Sequence, residues 1–158
     1  MKCNRNTTIL TAVAYKFITP DTLQYQAGVA LRISLFFEGM PDAQELINDD
    51  FENKSLHLVA IKEDQIIGTG RLYFATNTAI ISQMTVAPDF QHQKIGQNIL
   101  QMLLKECKTH QIEKITLSAR VTALDFYAKF GFKAIGDTYP SVKTGVLHQN
   151  MELIPNKS

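Results

Sequence analysis

The segment Met84-Thr85-Val86-Ala87-Pro88-Asp89-Phe90-Gln91-His92-Gln93-Lys94-Ile95-Gly96-Gln97 has the residue types and spacing best suited to chemistry in this chain. An apolar, strand-like run passes through a short loop directly into an amphipathic, helix-like run. The first amides of a helix have no internal acceptors and sit at the positive end of its dipole. Such a start holds a phosphate without a cationic side chain. Gly96 has no Cβ, so a ligand can approach the backbone there. Other phosphate-binding patterns are missing: the sequence has no GxxxxGK(S/T), no GxGxxG after its first strand-like run, and no GxSxG nucleophile elbow.

Outside that segment the candidates are fewer. Cys3 and Cys107 are too few for a disulfide framework, and no Cys/His cluster has the spacing of a zinc site, so no metal is expected. Cys107 falls inside an apolar helical run, a poor place for a nucleophile. The acidic run Asp49-Asp50 with Glu52 reads either as a solvated face or as an attractor for a cationic amine. Arg71 lies among apolar strand residues and has two readings, a contact to a substrate carboxylate or a structural ion pair. His57 and His110 read as surface or sheet-edge residues.

The elements that must position these residues follow from apolar periodicity. Ile9–Ile18 reads as a first strand. Thr19-Pro20-Asp21 reads as a helix start, with Thr19 as cap, and Val29, Ile33, Phe36 and Phe37 as the apolar face. Gly39 and Pro41 end that helix, and Asp42–Asp50 reads as a second, short one. Strands follow at Leu56–Ile61 and Ile66–Phe74, joined as a hairpin through Lys62-Glu63-Asp64-Gln65, with a fourth at Ala79–Val86. A long helix spans about Ile95–His110. Then come a strand at Lys114–Ala119, a helix at Thr122–Phe130 closed by Gly131, and strands at Phe132–Gly136 and Val146–Leu153. A strand–helix–strand unit within a run of hairpins predicts an α/β domain with a mixed, mostly antiparallel central sheet flanked by helices.

Length and composition agree. The chain has 158 residues, 45% apolar and 20% charged, which fits a single globular domain over 1–158 with its core in 9–153. Sixteen Lys and Arg against 15 Asp and Glu give a net charge of +1, and so no global reason to expect nucleic acid or an anionic membrane as partner. No window approaches the ~20 apolar residues of a membrane span. The polar start and the paucity of Cys predict a reduced, soluble, cytoplasmic protein.

Two motifs resemble the GNAT family of N-acetyltransferases, which move an acetyl group from acetyl-CoA to an amine. Its signature is Val-x-Pro at a strand end, followed by Arg or Gln, two residues, Gly, one residue, and Gly or Ala. Here it reads Val86-Ala87-Pro88 and then Gln91-His92-Gln93-Lys94-Ile95-Gly96. The second is Phe126-Tyr127-Ala128-Lys129-Phe130-Gly131-Phe132. Gly68-Thr69-Gly70-Arg71-Leu72, Ala119-Arg120-Val121-Thr122-Ala123 and Thr144–Met151 look closest to a small bacterial branch of that family. Lys94 departs from the pattern, standing where the family has its first loop glycine, a position suited to positive φ.

The resemblance implies the acyl-CoA N-acyltransferase fold, with acetyl-CoA as donor and a primary amine as acceptor. The amides of Gln91, His92, Gln93, Lys94, Ile95, Gly96 and Gln97 would cradle its pyrophosphate. The strand edge at Met84, Thr85 and Val86 would pair with the pantetheine amides, which requires the fourth and fifth strands to part. The Val86 amide would support the oxyanion. Tyr127 would protonate the departing thiolate or hydrogen-bond to it. Arg120 would contact CoA at the cleft edge. His148 and Glu38 are candidates for the base that accepts the amine proton, beside a base-free route. The reading from another class is a non-catalytic acyl-CoA-binding or sensor module. Acceptor identity stays open, as does pairing of two copies across the last strands.

Overall fold

The structure is a computed structural model and describes residues 12–155. Ile9–Thr11 of the expected first strand, and Cys3, lie outside the described residues. Strand β1 (Ala14–Ile18) leads to α1 (Leu23–Phe36), short α2 (Ala43–Ile47), β2 (Leu56–Lys62), β3 (Gln65–Ala75) and β4 (Thr78–Val86). Then follow α3 (Ile95–Thr109), β5 (Lys114–Arg120), α4 (Leu124–Ala128), β6 (Lys133–Pro140) and β7 (Leu147–Leu153). One seven-stranded sheet has the order β1-β2-β3-β4-β5-β7-β6. Among the described residues only β4 and β5 pair in parallel; the other neighbours are antiparallel. The expected mixed, mostly antiparallel sheet flanked by helices is the observed architecture.

Each face of the sheet is covered by its own helices. Helix α3 buries Ile95, Ile99, Leu100, Leu103 and Cys107 against Leu58, Ile67, Leu72, Ile81, Leu117 and Met151. Helix α1 covers the opposite face, with Val29 and the following Phe37 against Val59, Ile66 and Ile47. Gly70 sits where α3 presses closest on β3: a Cβ there would stand 2.7 Å from Ile99 Cγ2 and 3.0 Å from Leu103 Cδ1. Gly70→Ala is therefore expected to cost about 1–3 kcal/mol by forcing α3 outward, read as a lower urea midpoint.

Local chemistry explains the boundaries, and several differ from the sequence-based expectation. Helix α1 starts three residues later than expected. Its cap is Thr22, whose hydroxyl accepts from the Tyr25 amide at 3.1 Å. Thr19 instead opens a turn closed by Thr22 N–H to Thr19 O at 3.2 Å, with Pro20 at its second position, where a fixed φ is favoured. Helix α2 ends at Ile47 rather than Asp50, because the chain turns to send Asp49 and Glu52 inward to arginines. The β2–β3 hairpin turns through Glu63 and Asp64, both at positive φ (50° and 63°), the combination that matches strand twist. Helix α4 is shorter than expected and is preceded by a 3₁₀ turn at Val121–Ala123. The expected stop at Gly131 is observed: φ is 96°, and the amides of Gly131 and Phe132 bond back to Ala128 O and Tyr127 O. Strand β6 runs on to Pro140, which brings Tyr139 opposite His148.

Candidate active site

A cleft of about 430 Å³ opens in the middle of the sheet. Strands β4 and β5 pair only from Thr78 to Ile81 against Lys114 to Leu117, although β4 continues to Val86 and β5 to Arg120. Beyond Ile81 the strands part. The break coincides with a bulge, where Thr69 pairs Thr85 but Arg71 pairs Ser82, so β4 carries an extra residue. Gln83 in this bulge has φ 55°. A bulge bends its strand and re-aims its groups, a common device beside functional sites. Ser82, Gln83, Met84 and Thr85 form one wall and Ser118, Ala119 and Arg120 the other.

Pairing geometry gives the direction of one amide. The Ala87 N–H donates to Ile67 O at 2.8 Å, toward β3. Successive amides of a strand point in opposite directions within the sheet, so the preceding Val86 N–H points away from β3, toward the gap. The Val86 carbonyl accepts from Gln91 Nε2 at 3.0 Å, which ties the following loop to the strand end.

In that loop Lys94 is the N-cap residue of α3 at φ 65°, and His92 also has φ 65°. A left-handed conformation costs a non-glycine residue roughly 1–2 kcal/mol, so the loop holds two residues in a disfavoured shape. Lys94 thus adopts the glycine-like conformation expected at its position. Among the described residues the amides of His92 to Gln97 donate to no acceptor, and no side chain caps the helix. Gln91, His92, Gln93 and Lys94 are exposed, Ile95 is buried, and Gly96 and Gln97 are half-buried. None of residues 91–97 lines the cleft itself. The loop lies at its end, where Gly96 faces Val86 and the Phe126 ring: a Cβ on it would stand 3.7 and 3.6 Å from them.

Tyr127 of α4 lines the cleft and is buried. Its hydroxyl bonds to no other described residue and is not sealed away from the cleft, while burial of the residue pushes the phenol up to about 12. His148 also lines the cleft, on the β7 side of the β5 wall. The carbonyl of Val146 lies 2.8 Å from its Nδ1, so Nδ1 donates there and Nε2 is the ring nitrogen without a partner among the described residues. Arg120 is the direct cross-strand partner of His148, and its guanidinium lies 5.4 Å over the Phe36 ring of α1. Glu38 is exposed and is not among the lining residues. Cys107 is fully buried, its thiol pushed up to about 12 by desolvation and by Glu106.

Behind the β4 wall lies a buried ionic cluster that sequence reasoning missed. Glu52 is 1% exposed and accepts from Arg32 Nη1 and Nη2 at 2.8 Å each, Arg71 Nη1 at 2.8 Å and the Tyr25 hydroxyl at 2.7 Å. Arg71 also grips Asp49 with two bonds of 3.0 Å, and Lys143 reaches Asp49 at 2.8 Å from the β6–β7 loop. Both arginines extend to the bulge, Arg32 to Gln83 at 3.0 Å and Arg71 to Ser82 at 2.8 Å. The acidic run is thus neither a solvated face nor an open amine attractor, though Asp50 is exposed. Arg71 is a structural ion-pair residue. His57 is buried rather than at the surface, lying 2.8 Å from Glu52 O and edge-on to Tyr25. Arg32 was the available signal, a lone arginine on the otherwise apolar face of α1.

The cluster gives stability a pH dependence. Burial alone would raise the Glu52 carboxyl, but the hydrogen bonds and charge of Arg32, with Tyr25 and Arg71, outweigh it and hold it at about 2 against an ordinary 4.5. Burial likewise opposes, and Arg71 and Lys143 outweigh it, holding Asp49 at about 2 against 3.8. A carboxyl depressed in the folded state contributes stability that is present above its unfolded value and lost as pH falls toward its folded one. Burial lowers the His57 imidazole below its ordinary 6.5, so the unfolded chain takes up that proton first. Urea midpoints are expected to fall gently below about pH 6.5 and steeply from about pH 4.5 toward 2, by on the order of 3 kcal/mol from Glu52 alone.

The chain matches the model of the acetyltransferase (GNAT) domain over residues 30–155. It belongs to the GNAT acetyltransferase family. Among GNAT relatives, protein ElaA of Escherichia coli is 25% identical over 133 residues, which cover 81% of this chain and 86% of that protein. The crystal structure of Escherichia coli ElaA superimposes with a TM-score of 0.75 at 20% identity, covering 89% of this chain and 99% of that one. An aminoglycoside 6'-N-acetyltransferase complexed with coenzyme A gives 0.72 at 13% identity, covering 92% and 99%. These structural likenesses establish a shared fold. Among the described residues no helix is long and apolar enough to cross a membrane, and no group of His, Cys, Asp and Glu is placed to hold a metal.

Proposed function

We propose that this GNAT protein transfers an acetyl group from acetyl-CoA to a primary amine by direct attack, with both substrates bound together. The observation that carries the reading is the parting of β4 and β5, flanked at one end by six amides without acceptors and within by the Tyr127 hydroxyl. Acetyl-CoA supplies a thioester, whose carbonyl carbon is open to a neutral amine. On this reading the amides of His92 to Gln97 hold the pyrophosphate at the start of α3, with the Lys94 ammonium adding positive charge beside it. The unpaired edge of β4 at Met84 and Thr85 receives the extended arm as an added strand. The Val86 N–H stabilises the developing oxyanion. Tyr127 faces the sulfur, and His148 Nε2 accepts the amine proton.

Gly96→Asp tests the phosphate seat. The space around Gly96 admits a side chain, and an acidic residue in the first turn of a helix favours folding. The variant is expected to fold normally and to bind CoA at least about tenfold more weakly by calorimetry, because its carboxylate repels phosphate. Unchanged affinity would show that CoA binds elsewhere. Thiol release from acetyl-CoA with a panel of amines then separates an enzyme from an acyl-CoA-binding module, which would bind CoA and release none.

A further inference from the structure

We infer, on the basis of the acetyl-transfer reading, that the amine acceptor carries a carboxylate and that Arg120 is the residue that binds it. The cleft is lined by the cations Arg71, Arg120 and Lys143 and, among the described residues, by no Asp or Glu. Arg71 and Lys143 are occupied by Asp49 and Glu52. Arg120 is not: among the described residues it has no carboxylate within ion-pair distance and donates no hydrogen bond, and its contact is the face of Phe36. That contact engages the charge of the guanidinium and none of its N–H groups in a hydrogen bond, so the edge that grips a carboxylate with two parallel bonds is free.

Its place in the sheet separates it from the phosphate seat. Leu117 and Ala119 pack into the core beneath α3, so Ser118 and Arg120, which alternate with them, point to the α1 face. The contact with Phe36 of α1 agrees. Arg120 therefore stands across the sheet from the helix whose first amides form the seat, and directly beside His148, the candidate base. The buried cluster adds to the field, since Arg32, Arg71 and Lys143 outnumber Asp49 and Glu52 by one positive charge while His57 is neutral. A polycationic acceptor would meet like charge from both directions. An amine with a carboxylate a few bonds away would be anchored at Arg120, with its nitrogen near His148.

The test compares matched acceptors: an amino acid against its primary amide, and lysine against the diamine of the same chain length. The wild-type protein is expected to favour each acid by about tenfold to a hundredfold in kcat/KM. Arg120→Gln should raise KM for the acid and collapse that ratio toward one while calorimetric affinity for CoA is retained. Arg120→Lys, a point charge without the fork, should restore part of the preference. Equal rates for acid and amide, or preference for the diamine, would overturn the inference. So would an Arg120→Gln variant that loses CoA affinity and keeps the acceptor preference, which would assign Arg120 to the donor. If no amine releases thiol, acetyl transfer is what has failed, and titration of the amino acids into CoA-saturated protein still decides: binding that Arg120→Gln abolishes supports the carboxylate site, and no binding refutes it.

Discussion

Tyr127→Phe is expected to lower kcat about a hundredfold while leaving CoA affinity and the thermal midpoint nearly unchanged. The hydroxyl has no partner among the described residues, so its removal leaves no stranded polar group in the fold. The ring keeps its contacts with Phe126 and Phe132, at 5.0 and 6.0 Å between centroids. The effect must therefore come from chemistry. Burial holds the phenol at about 12, so it is a proton donor throughout the physiological range. A thiolate of pKa about 8.5 cannot take that proton completely without an uphill step. A hydrogen bond to the sulfur as charge develops is then the better description of Tyr127 than full protonation. On that account the Tyr127→Phe deficit is flat with pH between about 6 and 9. Steady-state rates across that range check it, and a rate equal to wild type would remove Tyr127 from the mechanism.

Glu52→Ala is expected to destabilise the protein by about 3–5 kcal/mol, because it leaves two buried guanidinium groups short of their shared carboxylate. For a chain of this size that is a fall of roughly 10 °C or more in the thermal midpoint. Glu52→Gln keeps the shape but removes the charge and should fall between. The loss should also reach the cleft: Arg32 and Arg71 hold Gln83 and Ser82, so the β4 bulge loses its backing. Calorimetry with CoA at a temperature where the variant is still folded should show weaker binding. A variant as stable as wild type would mean that the cluster is replaceable.

The sequence revealed much of the frame because the frame rests on local signals. Apolar periodicity marked α3, the short polar link Lys62-Glu63-Asp64-Gln65 marked the hairpin, and Gly131 marked the end of α4; each acts within a few residues. The opening between β4 and β5 was visible only through resemblance, since pairing register is a long-range property. The ionic cluster was misread for the same reason. Arg32, the pair Asp49 and Glu52, Arg71 and Lys143 come from four separate parts of the chain, and no spacing rule joins them. A buried arginine pair and an acidic run look like ordinary surface charge until the fold brings them within 3 Å. Thr19 misled because Thr22, three residues later, competes for the same role. The strand–loop–helix passage into α3 was legible as a pattern, but not that its loop sits at the cleft's end rather than in its lining.

The gap in the sheet also bears on handling the protein. A sheet fastened at one end and open at the other lacks hydrogen bonds that any strand-like guest would supply, so the empty molecule is its least robust form. Mass action makes the gain about 2.7 kcal/mol at a hundredfold excess over Kd. Purification and crystallisation with the guest present should therefore give a tighter and more heat-resistant preparation. The two halves, β1–β4 and β5–β7, should flex against each other most when nothing lies between them.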